Sequence, residues 1–85
     1  MDEKDLLLQT IWEIVKPTSQ PLNYPCSIRE IILRFPGNWE LEQLQALSEE
    51  ELVHVVNAER VVVYLTQKGL EKVEAIPGPV ANDNL

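Results

Sequence analysis

The stretch Leu65-Thr66-Gln67-Lys68-Gly69-Leu70 lies between a run of valines and an amphipathic segment. The valine run favours a strand, and Thr66 is a good N-terminal cap for a helix that follows it. Leu65 before the cap and Leu70 inside the helix have the spacing of a hydrophobic staple, which fixes the angle between strand and helix. Gly69 costs about 1 kcal/mol relative to alanine in a helix, so we expect close backbone approach there.

A second apolar run precedes this strand and predicts a β-hairpin. Residues 53–56 and 61–65 are rich in β-branched side chains, and they flank Asn57-Ala58-Glu59-Arg60, which suits a short turn. In the predicted register Asn57 pairs with Arg60, so that His54 faces Val63. Apolar side chains then lie on both faces of the hairpin, and we expect one face to meet helices.

An all-helical alternative stays open for this part of the chain. Ser48-Glu49-Glu50-Glu51 matches a capping box, and Leu52, Val53 and Val56 fit a helical stripe. The β-branched run Val61 to Val63 argues against it.

The N-terminal part of the chain predicts two helices separated by a proline-rich connector. The first spans residues 3–16 and ends at Pro17, and the second begins at Ile28, where Ser27 and Glu30 form a capping-box pattern. Residues 17–25 form the connector, in which residues 22–24 could add a short edge strand. The apolar stripes of the two helices are Leu8, Ile11, Trp12 and Val15, and Ile28, Ile31, Ile32 and Phe35.

A third helix is predicted to begin at Trp39 with Asn38 as its cap, after Pro36-Gly37 has ended the second. Its buried edge is expected to consist of Leu41, Leu44 and Leu47. On the opposite side, at about 100° per residue, lie Trp39, Glu42, Ala46 and Glu49.

The order helix, connector, helix, helix, hairpin, helix, with the junction Tyr64 to Leu70, resembles winged-helix domains of MarR-type and PadR-type transcription regulators over roughly residues 3–76. The resemblance implies an α+β winged helix-turn-helix with three helices, a β-hairpin wing and a C-terminal helix. It also implies that residues 39–51 enter the DNA major groove and that residues 57–60 touch phosphate or the minor groove. We expect a domain over residues 1–76 and a flexible C-terminal tail over residues 77–85.

The charge of the chain conflicts with DNA binding. Fourteen acidic and seven basic residues give a net charge of -7, and residues 39–51 contain five glutamates and no lysine or arginine. Phosphate backbones are bound mainly through lysine and arginine. The sequence therefore favours a module that acts through protein association, with a homodimer as one form, and its candidate contacts are Trp39, Glu42 and Glu49. A solvated acidic face and a Trp39 packed on its neighbours stay open as alternatives.

A DNA-binding transcription regulator is the second hypothesis. Its phosphate contacts would come from Arg29, Arg34, Arg60 and Lys68, if the fold gathers them on one side away from the acidic helix.

The sequence contains no recognisable catalytic motif. His54 and Cys26 are the only histidine and the only cysteine, and no glycine-rich phosphate loop or nucleophile motif is present. We therefore expect no enzyme, cofactor, metal or small-molecule substrate. Cys26 precedes a helix cap, where the dipole would lower a thiol pKa, but a small packing residue is the other interpretation. The acidic start and the absence of an apolar run of about 20 residues favour a cytoplasmic protein without a membrane partner.

Overall fold

The computed structural model describes residues 3–35 and 37–75, which form a small α+β fold. In chain order its elements are α1 (Glu3–Val15), a 3-10 turn (Pro21–Asn23), β1 (Cys26–Ser27), α2 (Ile28–Arg34), α3 (Leu41–Glu49), β2 (Val53–Asn57), β3 (Val61–Leu65) and α4 (Gln67–Ala75). The three strands form one antiparallel sheet in the order β1-β3-β2. The α+β class is confirmed, and the all-helical alternative is wrong because β2 and β3 pair along their whole length. Ile76 and the predicted tail over residues 77–85 lie outside the described residues.

Helix α1 is the centre of the core. Its apolar stripe brings Leu8, Ile11 and Val15 to complete burial, together with Leu7, while Trp12 packs at the edge of the core. The helix contacts α2, α3 and α4 as well as β1 and β3. The predicted helix over residues 3–16 is therefore confirmed, and its apolar face organises the rest of the fold.

The connector after α1 contains a 3-10 turn rather than the edge strand expected at residues 22–24. Pro21 lies in the first turn, and the Asn23 amide donates to the Gln20 carbonyl at 2.9 Å. The edge strand begins four residues later, at Cys26, where Cys26 pairs with Val63 and Ser27 pairs with Val62. A proline fixes φ in a range that suits the turn and removes a ladder donor, which explains the displacement.

The capping box at the start of α2 is confirmed. The Glu30 amide donates to Ser27 Oγ at 3.2 Å, and the Ser27 amide donates to Glu30 Oε1 at 3.2 Å. The predicted apolar stripe is only partly right: Ile31 and Phe35 are buried, but Ile32 is 58% exposed. Because α2 is only seven residues long and packs on α1 and β1, one side of it is covered and the Ile32 side is not.

Helix α3 begins at Leu41, two residues later than predicted, and Asn38 is not its cap. Glu40 is the N-cap residue, and its amide donates to Gln43 Oε1 at 3.0 Å. Gln43 Nε2 in turn donates to Glu3 Oε1 on α1 at 3.0 Å, so a long-range contact fixes this start. Leu44 and Leu47 are buried as expected, but Leu41 is 60% exposed and does not belong to the buried edge.

The C-terminal end of α3 is a Schellman motif built on Glu51. The Leu52 amide donates to the Leu47 carbonyl at 2.9 Å, and the Glu51 amide donates to the Ser48 carbonyl at 2.9 Å. Glu51 has a φ of 62°, in the left-handed region that glycine usually occupies at this position. The motif turns the chain from α3 directly into β2.

The hairpin register differs by one residue from the predicted one. Asn57 pairs with Val61 rather than with Arg60, and His54 faces Tyr64 rather than Val63. The connection is thus a three-residue loop, in which the Ala58 amide donates to the Arg60 carbonyl at 3.4 Å. Apolar side chains still occupy both faces. Val53, Val55, Val63 and Leu65 share the face that meets the helices, and Val56, Val62 and Tyr64 share the other.

The helix cap predicted at the β3–α4 junction is confirmed. Thr66 Oγ1 accepts from the Gly69 amide at 2.9 Å, so Thr66 caps α4. The same hydroxyl donates to the Glu51 carbonyl at 2.6 Å, and the Thr66 amide donates to the Leu52 carbonyl at 3.2 Å. A Cβ added at Gly69 would overlap the Leu52 carbonyl oxygen and approach Leu65 Cδ1 to 2.9 Å. The close backbone approach expected at Gly69 is confirmed.

Gly69→Ala tests this packing because helix preference and steric overlap act in opposite directions. Alanine favours a helix by about 1 kcal/mol over glycine, but the overlap with backbone predicts a net loss of about 1 to 3 kcal/mol in the free energy of unfolding. Urea unfolding followed by circular dichroism measures it. Lys68→Ala, at an exposed α4 position, is the matched control and should change stability by less than about 0.5 kcal/mol. A Gly69→Ala protein as stable as the parent would contradict the interpretation.

Candidate functional site

The described residues carry an exposed apolar surface centred on Leu41, at the start of α3. Leu41 is 60% and Ile32 is 58% exposed. Together with half-buried Ile28 and Trp39 they line a depression of about 400 Å³ between α2 and α3. Leu41 also lines two adjoining depressions that reach the hairpin at Val55 and Val61. We call this area the Leu41 surface; it consists of Ile28, Ile32, Trp39, Leu41, Val55 and Val61.

The side of the Leu41 surface that faces α2 and the hairpin loop is basic. Arg29 and Arg60 are exposed, and they line one depression of about 620 Å³ with Ile28, Leu41 and Val61. Arg29 comes from the first turn of α2, and Arg60 is the last residue of the hairpin loop. The pairing of β1 with β3 places α2 beside the hairpin. Arg29 and Arg60, 31 positions apart in the sequence, therefore lie close together.

The other side is acidic and belongs to α3. Glu42, Gln45 and Glu49 are exposed on the side away from buried Leu44 and Leu47. Glu49 lines the depression of about 510 Å³ that Leu41, Val55 and Val61 also line. Glu42 shares a smaller depression with Trp39. Of the three candidate contacts predicted from sequence, Glu49 and Trp39 therefore line depressions with Leu41, whereas Glu42 adjoins the surface at Trp39, which is half-buried against the core.

The remaining flank of α3 is tied to α1. Lys4 Nζ lies 2.9 Å from Glu50 Oε2, and Gln43 donates to Glu3. The pKa of the Glu50 carboxyl is lowered, first by the hydrogen bond from Lys4 and then by the Lys4 charge, with smaller contributions from Lys72 and Lys68. These contacts leave the side of α3 that carries Leu41, Glu42 and Glu49 as its free side.

The four basic residues of the DNA hypothesis do not form one group. Arg29 and Arg60 lie together, but Lys68 is on α4, where its charge acts on Glu50 of α3. Arg34 is exposed at the end of α2 and lines none of the depressions formed by the Leu41 surface. A continuous basic stripe is therefore not made by these four side chains.

Cys26 is a packing residue and not a reactive thiol. Its side chain is fully buried in the core. Burial, and to a smaller extent the charge of the nearby Glu30 carboxylate, raise the pKa of the thiol to about 12. The lowered thiol pKa that the helix dipole suggested is wrong, because desolvation of the thiolate outweighs the short helix that follows.

His54 and the outer sheet face lie apart from the Leu41 surface. His54 is exposed on β2, and its ring lies 6.5 Å from that of Tyr64. In residues 3–35 and 37–75 no group of three or more histidine, cysteine or acidic side chains is placed to hold a metal ion. Over the same residues, no helix is both long enough and apolar enough to cross a bilayer.

The apolar centre of this surface does not follow from the sequence pattern. That pattern predicts Leu41 on the buried edge of α3 and Ile32 on that of α2, whereas both are exposed. One signal was available: Ile31-Ile32-Leu33 are three consecutive apolar residues in a two-turn helix, and they cannot all face the same neighbour. The exposure of Leu41 had no comparable local signal.

Comparisons of the chain with protein-family models, with curated proteins and with solved structures each found no match. The resemblance to MarR-type and PadR-type regulators thus stays a prediction from the sequence.

Iodoacetamide labelling at pH 8 tests the environment of Cys26. A pKa near 12 instead of the ordinary 9.0 lowers the thiolate fraction about a thousandfold. We therefore expect native protein to label far more slowly than protein in denaturant, as followed by mass spectrometry. Free glutathione in the same two solutions is the control for reagent reactivity. Similar labelling rates for native and denatured protein would contradict the buried position.

Proposed function

We propose that this chain is a non-catalytic, winged-helix-like module that binds a protein partner through the Leu41 surface. The observation that carries the proposal is the composition of that surface, an exposed apolar centre between two arginines and two glutamates. Specific protein interfaces combine an apolar centre with a polar rim, and tryptophan and arginine are enriched among the residues that contribute most to binding.

The order of elements supports the winged-helix architecture within this proposal. Helices α1, α2 and α3 precede the β2–β3 hairpin, and β1 joins the hairpin as the third strand. In such a domain α3 has the place of the recognition helix and the hairpin that of the wing. Leu41, Glu49, Val55 and Val61 lie between those two elements, which is the face that a partner of the domain would contact.

The free side of α3 favours a protein over DNA as that partner. Its exposed side chains include Glu42, Gln45 and Glu49, and α3 contains no lysine or arginine. Two carboxylates held against a phosphate backbone repel it, whereas a protein surface with basic groups attracts them. Leu41 and Ile32 add exposed apolar area. When a partner removes this area from water, the complex is stabilised by about 25 cal/mol per Å².

Site-specific photo-crosslinking tests the proposal in cells that naturally make the protein. A benzoylphenylalanine at position 41 should give a defined protein adduct, identified by mass spectrometry. The same residue at position 71, exposed on α4, is the matched control and should not give that adduct. Adding Glu42→Lys and Glu49→Lys should reduce the adduct at position 41. No adduct at position 41, or equal adducts at both positions, would reject the Leu41 surface as a binding site.

DNA binding is a second candidate because Arg29 and Arg60 line one depression beside α3. Two such residues in contact with phosphates would give weak binding that falls steeply with salt. Their position at the wing and at the start of α2 fits contact with a backbone rather than with base edges.

Fluorescence anisotropy with a labelled random-sequence duplex tests this candidate. Binding at about 20 mM salt should weaken by tenfold or more at 200 mM, and Arg29→Ala with Arg60→Ala should abolish it. Lys16→Ala, at an exposed site at the end of α1, is the control and should have a much smaller effect. Absence of an anisotropy change at low salt would remove DNA as a ligand.

A further inference from the structure

We infer that the partner of the Leu41 surface is a second copy of this chain, bound about a two-fold axis that passes close to Leu41. The inference rests on the proposed function and names the partner of that site. It follows from the arrangement of charge around the apolar centre, where Arg29 and Arg60 lie on one side and Glu49 on the other, with Leu41 and Val61 shared by both.

A two-fold axis makes such a surface complementary to itself. In a two-fold contact the same patch is used by both copies, and features on opposite sides of the axis meet across it. With the axis near Leu41, the leucines of the two copies meet in the middle. Arg29 and Arg60 of each copy then face Glu42 and Glu49 of the other. A partner of one charge sign would match only one half of the surface.

The four charged residues are free for contacts with another molecule. Over the described part of the chain the ion pairs join Lys4 to Glu50 and Lys16 to Glu13. Arg29, Arg60, Glu42 and Glu49 take part in neither pair, and their side chains are exposed. Glu50 and Gln43, on the α1 side of the same helix, are occupied by α1. Within α3 (Leu41–Glu49), Glu42 and Glu49 are thus the carboxylates that take part in neither ion pair.

The net charge of -7 opposes association of two copies, but the geometry limits this effect. At physiological ionic strength charges more than about 8 Å apart are largely screened. In the inferred contact the arginines and glutamates are neighbours across the axis and are screened least, whereas acidic residues elsewhere, such as Glu71 and Glu74 on α4, do not lie on the contact face. The dimer is therefore expected at physiological salt, where the general repulsion is reduced and the apolar contact is unaffected.

Sedimentation equilibrium of the full chain, with matched charge reversals, tests the inference. Wild-type protein should reach twice the monomer mass of 9.7 kDa. Arg29→Glu with Arg60→Glu should be monomeric, as should Glu42→Lys with Glu49→Lys, because each places like charges opposite each other. An equimolar mixture of the two variants should dimerise at least tenfold more tightly than either alone. Circular dichroism establishes that each variant is folded.

The matched control is Glu71→Lys with Glu74→Lys, which alters net charge as much as the α3 pair does but lies on α4. It should dimerise at least as tightly as wild type. Wild-type protein that stays monomeric at high micromolar concentration would overturn the inference, and so would a mixture that does not associate. If wild type is monomeric while position 41 crosslinks to a different protein, the inference fails and the proposed function stands. If position 41 gives no adduct, both fail.

Discussion

Both ends of the β2–β3 hairpin are held at one point by the backbone around Thr66. The Thr66 hydroxyl donates to the Glu51 carbonyl, its amide donates to the Leu52 carbonyl, and its oxygen accepts from the Gly69 amide. Gly69 lies so close to the Leu52 carbonyl that no side chain fits between them. The residues that lead into β2 and those that follow β3 are thereby joined, and α3 and α4 are fixed relative to the sheet.

The position of the Leu41 surface follows from this constraint. Because the Schellman motif at Glu51 joins α3 to β2 through only residues 50–52, α3 must lie beside the hairpin. Burial of Leu44 and Leu47 then sets which side of α3 faces the core, and the Lys4–Glu50 pair lies on the flank next to α1. Leu41 is left between α2 and the hairpin, uncovered by either. The exposure of Leu41 therefore follows from the way α3 is connected to β2 and packed on the core. Leu41 forms the centre of a surface that has basic and acidic residues at its border.

The sequence predicted those features that depend on residues within one or two turns of each other. Examples are the Ser27–Glu30 capping box, the Thr66 cap and the close backbone approach at Gly69. It predicted Glu42 and Glu49 as exposed for the same reason. The start of α3 depends on Gln43 reaching Glu3, 40 positions away in the chain, and local patterns contain no such information. The hairpin register and the exposure of Leu41 were missed because both depend on tertiary packing.

The complete burial of Cys26 has a consequence for any assembly of this protein. Disulfide formation requires two sulfur atoms about 2.05 Å apart, and the only sulfhydryl of the chain lies inside the core on β1. Two folded copies cannot bring these atoms together, whichever surfaces they join. Folded copies of this chain therefore associate without an intermolecular disulfide. A band at twice the monomer mass on a non-reducing denaturing gel would come from molecules that unfolded before Cys26 was oxidised.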